Sequence, residues 1–473
     1  MKNGFWFATV LCLLTTLPPV APRAAPLDVV GTWQGSLTVQ GFSLRIVFRI
    51  TMGPDGGLRC LLDSPDQGAT DIPTSGVTFE NGALRIDVEA VAGFYLGTAN
   101  DDVSEFTGEW TQGGQARPLV LRRSEKPIDY SRPQDPRDPL PYNVEDVTFP
   151  NEEAGITLAG TLTTPATGRP SPCVLLISGS GPQDRDEAIA GHRPFFVLSD
   201  HLTRQGIAVL RVDDRGIGES TGNFGEATTE DFASDAAAGI RYLESRLEIR
   251  PRKIGLLGHS EGGLAAAMVA AQTGGIAFVV LVAAPGVVGD ELLTMQARAL
   301  SEAEGLPEAL VRRNLAVQAA IFEALKKSDS STREERVRTV IRESLEDLEP
   351  SEQQQLGNAD AYVEAQVQML TSEWFLFFLN YDPALALRNV SCPVLALNGE
   401  LDLQVPPAEN LGAIAAALKE GGNTEVTIQE LSGLNHLLQT ARSGAPSEYS
   451  TIPETISPVV MNIISEWILL VAK

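Results

Sequence analysis

The segment KIGLLGHSEGGLAAAMVA, residues 253–270, constrains the fold of this chain more than any other stretch. An apolar run typical of a buried strand leads directly into an alanine-rich segment typical of a helix. Ser260 stands at the junction, and Gly258 and Gly262 flank it in the pattern G-x-S-x-G. Larger side chains at the two glycines would crowd such a corner, and the corner strains the serine backbone. The segment predicts a serine nucleophile presented above the edge of a sheet.

Apolar strands and helical segments alternate around this corner. CVLLIS, IAVLRV, FVVLVAA and PVLALN are almost continuously apolar, as expected of strands that are covered on both faces. The alternation predicts a mostly parallel sheet covered by helices over residues 144–473. Residues 287–390 interrupt it with charged and apolar residues at helical spacing, which predicts an inserted helical cap.

The first third of the chain has a different pattern. Residues 26–123 contain short alternating runs such as SLRIVFRITM, separated by turn signals, and little helical period. They predict a small all-β domain, a barrel or a sandwich, whose strands around Trp33 and Trp110 resemble those of lipocalin-like barrels. The aromatic side chains would either plug the barrel, which we favour, or line a ligand cavity. Residues 124–143 hold five prolines and predict an extended linker.

Charge and the first residues bear on partners and location. The formal net charge of −25 repels phosphate backbones and anionic lipid, so nucleic acid is a poor candidate partner. Residues 1–25 combine Lys2, a short apolar stretch and small residues, which predicts a signal peptide and export to the periplasm or the exterior. That stretch is too short to span a bilayer, so no membrane span is expected in the mature protein.

Three cysteines remain after the predicted signal peptide: Cys60, Cys173 and Cys392. Their number is odd and their spacing is wide, which fits neither a disulfide framework nor a metal motif. We expect buried free thiols and no metal ion. Because the strands that begin near Cys173 and Cys392 should not be neighbours in the sheet, a bond between these two is not expected.

A serine nucleophile needs a base, and the chain has four histidines. His436, in the segment LSGLNHLLQ after the last predicted strand, is the favoured base. The side chain of His259 should point away from the site, and His201 should be packed within an apolar helix. His192 precedes a proline in a loop and is expected at the mouth of the site.

The third group of such a triad is an acid that follows an earlier strand. The segment VLALNGELDLQVPP offers Asp402 as the favoured residue and Glu400 as the alternative. Its carboxylate would hold the imidazole of His436 in one tautomer and stabilise the imidazolium during turnover. The chain order serine, acid, histidine is that of α/β-hydrolases.

Backbone amides would stabilise the oxyanion that forms on the substrate. One amide is predicted at Glu261, in the first turn of the helix that follows the serine, where the helix dipole is positive. The second should lie in SGSGPQDRDE, the loop after CVLLIS. The amide of Ser180 is favoured there, with Gly179 or Gly181 as alternatives.

The motifs SGSGPQDRDE, VLRVDDRGIGESTG, GLLGHSEGG, NGELDLQVP, GLNHLLQ and EYSTIPETISPVV make residues 144–473 resemble the α/β-hydrolase superfamily. More narrowly, the region is similar to exported carboxylesterases of the serine-aminopeptidase-like group. The resemblance implies an eight-stranded sheet, a helical cap, no cofactor, and hydrolysis of short acyl esters of small molecules. The cap and the β-domain lie outside these motifs, so the resemblance does not identify the natural substrate.

Two other functions stay open at this point. A serine peptidase of aminopeptidase or dipeptidyl-peptidase type would bind a substrate amine, for which Glu261, Asp184 or Asp186 could serve. A ligand-binding protein could act through the β-domain and use the hydrolase fold as a scaffold. The segment DDRGIGES, which starts at Asp213, could contact substrate but is expected to form a structural turn.

Overall fold

The computed structural model describes residues 29–39, 42–54, 56–67, 69–125, 131–346, 348 and 358–473. They form two β-sheets, of nine and eight strands, and eleven α-helices. The predicted signal peptide at residues 1–25 lies outside the described residues.

The first nine strands form one antiparallel sheet with the spatial order β4-β3-β2-β1-β9-β8-β7-β6-β5. Successive strands are neighbours, and β9 returns to pair with β1, so the sheet curls around one core rather than forming a sandwich. Its strands are β1 (Gly31–Val39), β2 (Phe42–Met52), β3 (Leu58–Ser64), β4 (Ala69–Pro73), β5 (Gly76–Glu80), β6 (Ala83–Val88), β7 (Gly93–Ala99), β8 (Glu105–Gln112) and β9 (Gln115–Ser124).

Aromatic side chains fill the interior of this curled sheet. Trp33, Phe48, Tyr95 and Phe106 are fully buried, and the rings of Trp33 and Phe106 meet edge to face at 4.6 Å between centroids. The Trp33 indole donates to the Val29 carbonyl at 2.8 Å. The aromatics therefore act as a plug, which agrees with the favoured interpretation of the sequence.

The second sheet has the order β10-β11-β13-β12-β14-β15-β16-β17. The six strands β12 to β17 are parallel, and β10 and β11 add an antiparallel edge. The predicted mostly parallel, eight-stranded sheet is confirmed. Its strands are β10 (Tyr142–Asn151), β11 (Ile156–Pro165), β12 (Ser171–Ile177), β13 (Ala208–Val212), β14 (Ile249–His259), β15 (Val279–Val282), β16 (Val394–Gly399) and β17 (Val426–Leu431).

Both faces of this sheet are covered by helices, which explains why its strands are continuously apolar. On β12, for example, Cys173 and Leu175 belong to one apolar layer, and Val174 and Leu176 belong to the opposite layer. β14 and β15 separate β12 from β16 in the sheet. Cys60 and Cys173 are buried free thiols, as predicted, whereas the free thiol of Cys392 is only half-buried.

The helices are α1 (Pro194–Arg204), α2 (Thr229–Glu244), α3 (Glu261–Gln272), α4 (Gly289–Ala303), α5 (Glu308–Lys327), α6 (Arg333–Glu346), α7 (Ala359–Leu370), α8 (Glu373–Asn380), α9 (Ala384–Leu387), α10 (Pro407–Glu420) and α11 (Pro458–Val471). Helices α4 to α8 lie between β15 and β16 and build the cap, and α5 to α8 share a separate apolar core. Within the described ranges, we find no helix with the length and apolar character needed to cross a bilayer.

The segment predicted as an extended linker is anchored to the α/β domain where it is described. The Arg132 guanidinium donates from one nitrogen to the carbonyls of Ala190 and Ser450, both at 2.9 Å. The Gln134 amide donates to the Ile456 carbonyl at 2.9 Å. These bonds hold two surface loops of the α/β domain together.

Candidate active site

Ser260 occupies the corner between β14 and α3. Its φ is 51° and its ψ is −123°, a conformation that costs a non-glycine residue about 1–3 kcal/mol. Its amide donates to the Val282 carbonyl at 2.8 Å, which fixes the corner to β15. A Cβ at Gly258 would lie 2.1 Å from the Gly262 carbonyl oxygen, and a Cβ at Gly262 would lie 2.2 Å from the Ile177 oxygen. Both glycines are therefore required for this approach of strand and helix.

Asp402 and His436 come from the carboxyl ends of β16 and β17 and are both buried. His436 Nδ1 lies 2.8 Å from Asp402 Oδ2, and Asp402 Oδ1 accepts from the amides of Gln404 and Val405, both at 2.8 Å. The carboxylate is thus held in place on both oxygens. A proton on Nδ1 leaves a lone pair on Nε2, which is the arrangement of a general base.

Glu400, the alternative acid, has a different position. It is exposed, and its Oε2 accepts from Ser432 Oγ at 2.5 Å and from the Gly433 amide at 2.9 Å. These bonds hold the loop after β17 on its solvent-exposed side. Of the two carboxylates, Asp402 is the one bonded to His436.

A cavity of about 210 Å³ lies between the carboxyl edge of the sheet and the cap. Ser260 and His436 both line it, so the structure brings the predicted serine and histidine into one chamber, with Asp402 behind the imidazole. The cap lines the opposite wall with the side chains of Leu292, Leu293, Gln296, Trp374 and Phe378. The wall that faces the serine is therefore largely apolar.

The loop after β12, on which the second oxyanion donor is predicted, also borders the chamber. The Gly179 amide already donates to Glu187 Oε1 at 2.7 Å, which removes it as an alternative donor. Ser180 is tied to the serine helix, because its hydroxyl donates to Glu261 Oε2 at 2.6 Å. The loop and the first turn of α3 are thus held side by side.

The Glu261 side chain is buried and its acceptors are engaged. Oε1 accepts from Thr229 Oγ1 at 2.6 Å and from the Trp374 indole at 2.8 Å, and Oε2 accepts from the Ser180 hydroxyl. This carboxylate joins α2, the cap and the loop after β12. Its position does not support the sequence hypothesis that it binds a substrate amine.

Asp184 and Asp186, the other two candidates for an amine site, are also bonded to other groups of the protein. An Asp184 oxygen accepts from the amides of Asp186 and Ala188 at 3.0 and 3.1 Å. Burial raises the pKa of Asp184. Asp186 forms an ion pair with Arg211. Neither residue is among those that line the chamber in the described part of the chain.

The expectation that His192 lies at the mouth of the site is wrong. It is fully buried, with Nδ1 3.0 Å from Thr455 Oγ1 and Nε2 2.9 Å from the Tyr449 carbonyl. Burial lowers its pKa to about 4, so it remains neutral and joins its loop to residues 446–456. His201 lies between α1 and α11, 3.2 Å from Ser465 Oγ, in agreement with a packed structural role.

The expectation that His259 points away from the site is also wrong. Its ring lines the chamber, 4.9 Å from the His436 ring between centroids. Its Nδ1 lies 2.8 Å from Glu187 Oε1. The strand ends at this residue, so its side chain is placed by a carboxylate from a distant loop rather than by the alternation of the strand. Glu187 itself was missed, because nothing in the spacing of its segment relates it to His259.

The segment DDRGIGES forms a structural turn, as expected. Asp213 pairs with Arg185 at 2.7 Å, and Arg215 pairs with Asp235 at 2.7 Å. Asp214 accepts from Ser178 Oγ at 2.8 Å. Burial raises the pKa of Asp214 to about 7. The turn holds the base of the loop after β12 rather than meeting the serine.

Residues 194–441 match the family described as serine aminopeptidase, S33, and the match spans more than half of the chain. The chain belongs to this family. Membership in the S33 family confirms the predicted hydrolase class, and the sheet order, cap and preceding β-domain confirm the predicted fold class. The family description alone does not specify the bond that this member cleaves.

Among the relatives of this S33-family protein is the esterase EstD of Thermotoga maritima. The two are 25% identical over 338 residues, which cover 71% of this chain and 69% of EstD. Similar solved structures include the Pyrococcus furiosus esterase Pf2001, with 16% identity, coverage of 74% of this chain and 100% of that one, and a TM-score of 0.44. A proline iminopeptidase of Mycobacterium smegmatis has 16% identity, coverage of 69% and 99%, and a TM-score of 0.41.

Proposed function

We propose that the protein is a serine carboxylesterase that cleaves short acyl esters through a covalent acyl-enzyme. Ser260 is the nucleophile, His436 the general base and Asp402 the group that orients the base. The observation that carries this proposal is the 2.8 Å bond between His436 and Asp402 behind a chamber that the strained Ser260 also lines.

The reaction has two acyl-transfer steps. His436 Nε2 accepts the hydroxyl proton of Ser260 while Oγ attacks the ester carbonyl, and the alcohol leaves with that proton. A water molecule, activated by the same imidazole, then attacks the acyl group and releases the acid and the free serine. The oxyanion of each tetrahedral intermediate accepts from the amides of Ser180 and Glu261, next to the positive end of α3.

The lining of the chamber favours an ester over a peptide with a free amine. Glu187 is the one carboxylate among its described lining residues, and its Oε1 is already bonded to His259 and the Gly179 amide. A substrate ammonium group would have to share this carboxylate with the ring of His259. The volume of about 210 Å³ suits a small acyl group, and the relative EstD is named an esterase.

The second candidate function is an aminopeptidase activity, which the family description favours. It requires a carboxylate that faces the chamber and can accept a bond from the substrate ammonium. A function of the β-domain as an independent ligand-binding module has less support, because large aromatics fill its core.

Export remains part of the proposal. Residues 1–25 are expected to be removed on export to the periplasm or the exterior. N-terminal sequencing of the protein recovered outside the cytoplasm tests this, and a start at Met1 there would contradict it.

The experiment that tests the reaction uses purified residues 26–473 with a fluorophosphonate probe and a substrate panel. We expect the probe to label Ser260, and the Ser260→Ala variant to fold, to escape labelling and to lose at least ~10⁴-fold in kcat on p-nitrophenyl acetate. Acyl esters should be cleaved faster than aminoacyl arylamides. Wild-type rates for Ser260→Ala would refute the nucleophile, and a preference for arylamides would establish the peptidase instead.

A further inference from the structure

A buried carboxylate and imidazole lie beside the proposed triad and have no role in its proton transfers. Glu187 and His259 are 3% and 8% exposed, and both border the chamber. Glu187 comes from the loop between β12 and α1, whereas His259 is the last residue of β14.

The pair connects the three loops that the reaction needs. Glu187 Oε1 accepts from the Gly179 amide at 2.7 Å, on the loop that carries the Ser180 donor. The same oxygen lies 2.8 Å from His259 Nδ1, next to Ser260. His259 Nε2 lies 3.2 Å from the main-chain oxygen of His436. One line of bonds therefore runs from the oxyanion loop, past the serine corner, to the loop of the base.

This line of bonds specifies the protonation state of His259. Both of its ring nitrogens face acceptors, a carboxylate and a carbonyl, and a neutral imidazole carries only one N–H. The complete set of bonds requires an imidazolium. Burial lowers the pKa of His259, but the charge and hydrogen bond of Glu187, the His436 carbonyl and the charge of Asp402 raise it above its ordinary value overall.

The backbone of Glu187 gives independent support. Its φ is 52°, a left-handed conformation that is unfavourable for a residue with a long side chain. Its amide donates to the Asp184 carbonyl at 2.9 Å, and an Asp184 carboxylate oxygen accepts from the next amide, Ala188, at 3.1 Å. The loop is thus bent locally in a way that delivers the carboxylate of residue 187 to His259.

We propose that Glu187 and His259, as a carboxylate–imidazolium pair, are positioning residues that hold the oxyanion loop and the loop of His436 in register with Ser260. The inference depends on the proposed esterase mechanism. Neither side chain exchanges a proton with the substrate. Their effect is on the distances between the base, the nucleophile and the amide donors, to which the rate of the chemical step is highly sensitive.

The first test is the Glu187→Gln variant, assayed on p-nitrophenyl acetate. A neutral glutamine does not stabilise the imidazolium of His259, and a neutral imidazole can donate only one of the two hydrogen bonds. We therefore expect kcat to fall by about 100-fold while KM changes by less than about twofold. Glu400→Gln is the matched control, since Glu400 also bonds the loop of His436 but from its exposed side; its kcat should stay within about twofold. A Glu187→Gln variant with the wild-type kcat would overturn the proposal.

The second test needs no variant to be active. In ¹⁵N-histidine-labelled wild-type protein, the four imidazoles can be distinguished, and His259→Gln assigns the ring in question. We expect His259 to carry protons on both nitrogens at pH 7 and to become neutral in Glu187→Gln. A neutral His259 in the wild-type protein would overturn the inference. If the fluorophosphonate probe does not label Ser260 in the wild-type protein, the esterase proposal fails. If Ser260 is labelled but Glu187→Gln keeps the wild-type kcat, only the present inference fails.

Discussion

The curled N-terminal sheet and the carboxyl edge of the second sheet bury side chains in opposite ways. The first closes on aromatic residues, and its buried polar groups bond within the same domain, as when the Tyr95 hydroxyl donates to the Phe106 carbonyl at 3.1 Å. The second leaves a cavity of about 210 Å³ and surrounds it with paired polar side chains. Positive φ values occur there at Glu187, Ser260 and Leu438, beside the chamber, whereas in the first sheet Asn81, Ala92 and Val103 adopt them in the connections between strands.

The contrast shows how the proposed active site lowers the stability of the folded state. Strained backbone and buried polar groups each destabilise the folded state unless neighbours hold them. A filled aromatic core stabilises it, because large rings remove much apolar area from water. We therefore expect substitutions at the proposed catalytic edge to change rates more than stability, and substitutions in the aromatic core to do the reverse.

After the loss expected for Ser260→Ala, the largest effect is expected at Asp402. Asp402→Asn retains the size of the side chain, but its amide favours the wrong tautomer of His436, so kcat should fall by about 10⁴-fold. Steady-state kinetics measure the effect on the rate, and a denaturant titration measures the effect on stability. The midpoint of the unfolding transition should change little. The alternative acid provides the control: a loss of that size in Glu400→Gln, with Asp402→Asn active, would show that the site has been assigned to the wrong carboxylate.

Two tryptophans test the contrast directly. Trp33→Ala removes a fully buried ring from the aromatic core and should lower the free energy of unfolding of the β-domain by about 3–5 kcal/mol, with little change in kcat at temperatures where the domain stays folded. Trp374→Ala, in the chamber wall, removes a donor to Glu261 and should lower kcat/KM with a smaller loss of stability. Equal effects of the two variants on stability and rate would contradict the distinction.

The smallest effect is expected from Asp214, whose burial raises its pKa to about 7. Between about pH 4 and pH 7 the folded state keeps a proton that the unfolded chain releases, so this group makes the free energy of unfolding fall as pH rises. Asp214→Asn removes that contribution, which amounts to a slope of at most about 1.4 kcal/mol per pH unit. Urea titrations across this range should give a flatter profile for the variant; an identical pH profile would contradict the raised pKa.

Much of the fold could be read from local patterns. The period of the apolar residues predicted the two sheets and the inserted helices, since that period follows from which faces are buried. The G-x-S-x-G corner was predictable because the carbonyl groups near Gly258 and Gly262 leave no room for a Cβ. Asp402 and His436 could be predicted from their places in the chain, because each follows the carboxyl end of a strand at the same sheet edge.

The errors concern side chains whose partners are distant in the chain. His259 was expected to face away, yet it meets Glu187, 72 positions earlier. His192 was expected at the mouth, yet it bonds residues more than 250 positions later. Glu261 was considered for an amine site, although its carboxylate is taken by three separate segments. No local pattern contains such information.

The sequence by itself therefore determined the layers, the sheet edge at which Ser260 stands and the residue types available there. These properties depend on short-range sterics and on the burial of successive side chains. Only the tertiary structure decided which carboxylate meets which imidazole. The protonation state proposed for His259 depends on that pairing. Hydrogen bonds and charges act over a few ångströms, and folding alone sets those distances between remote segments.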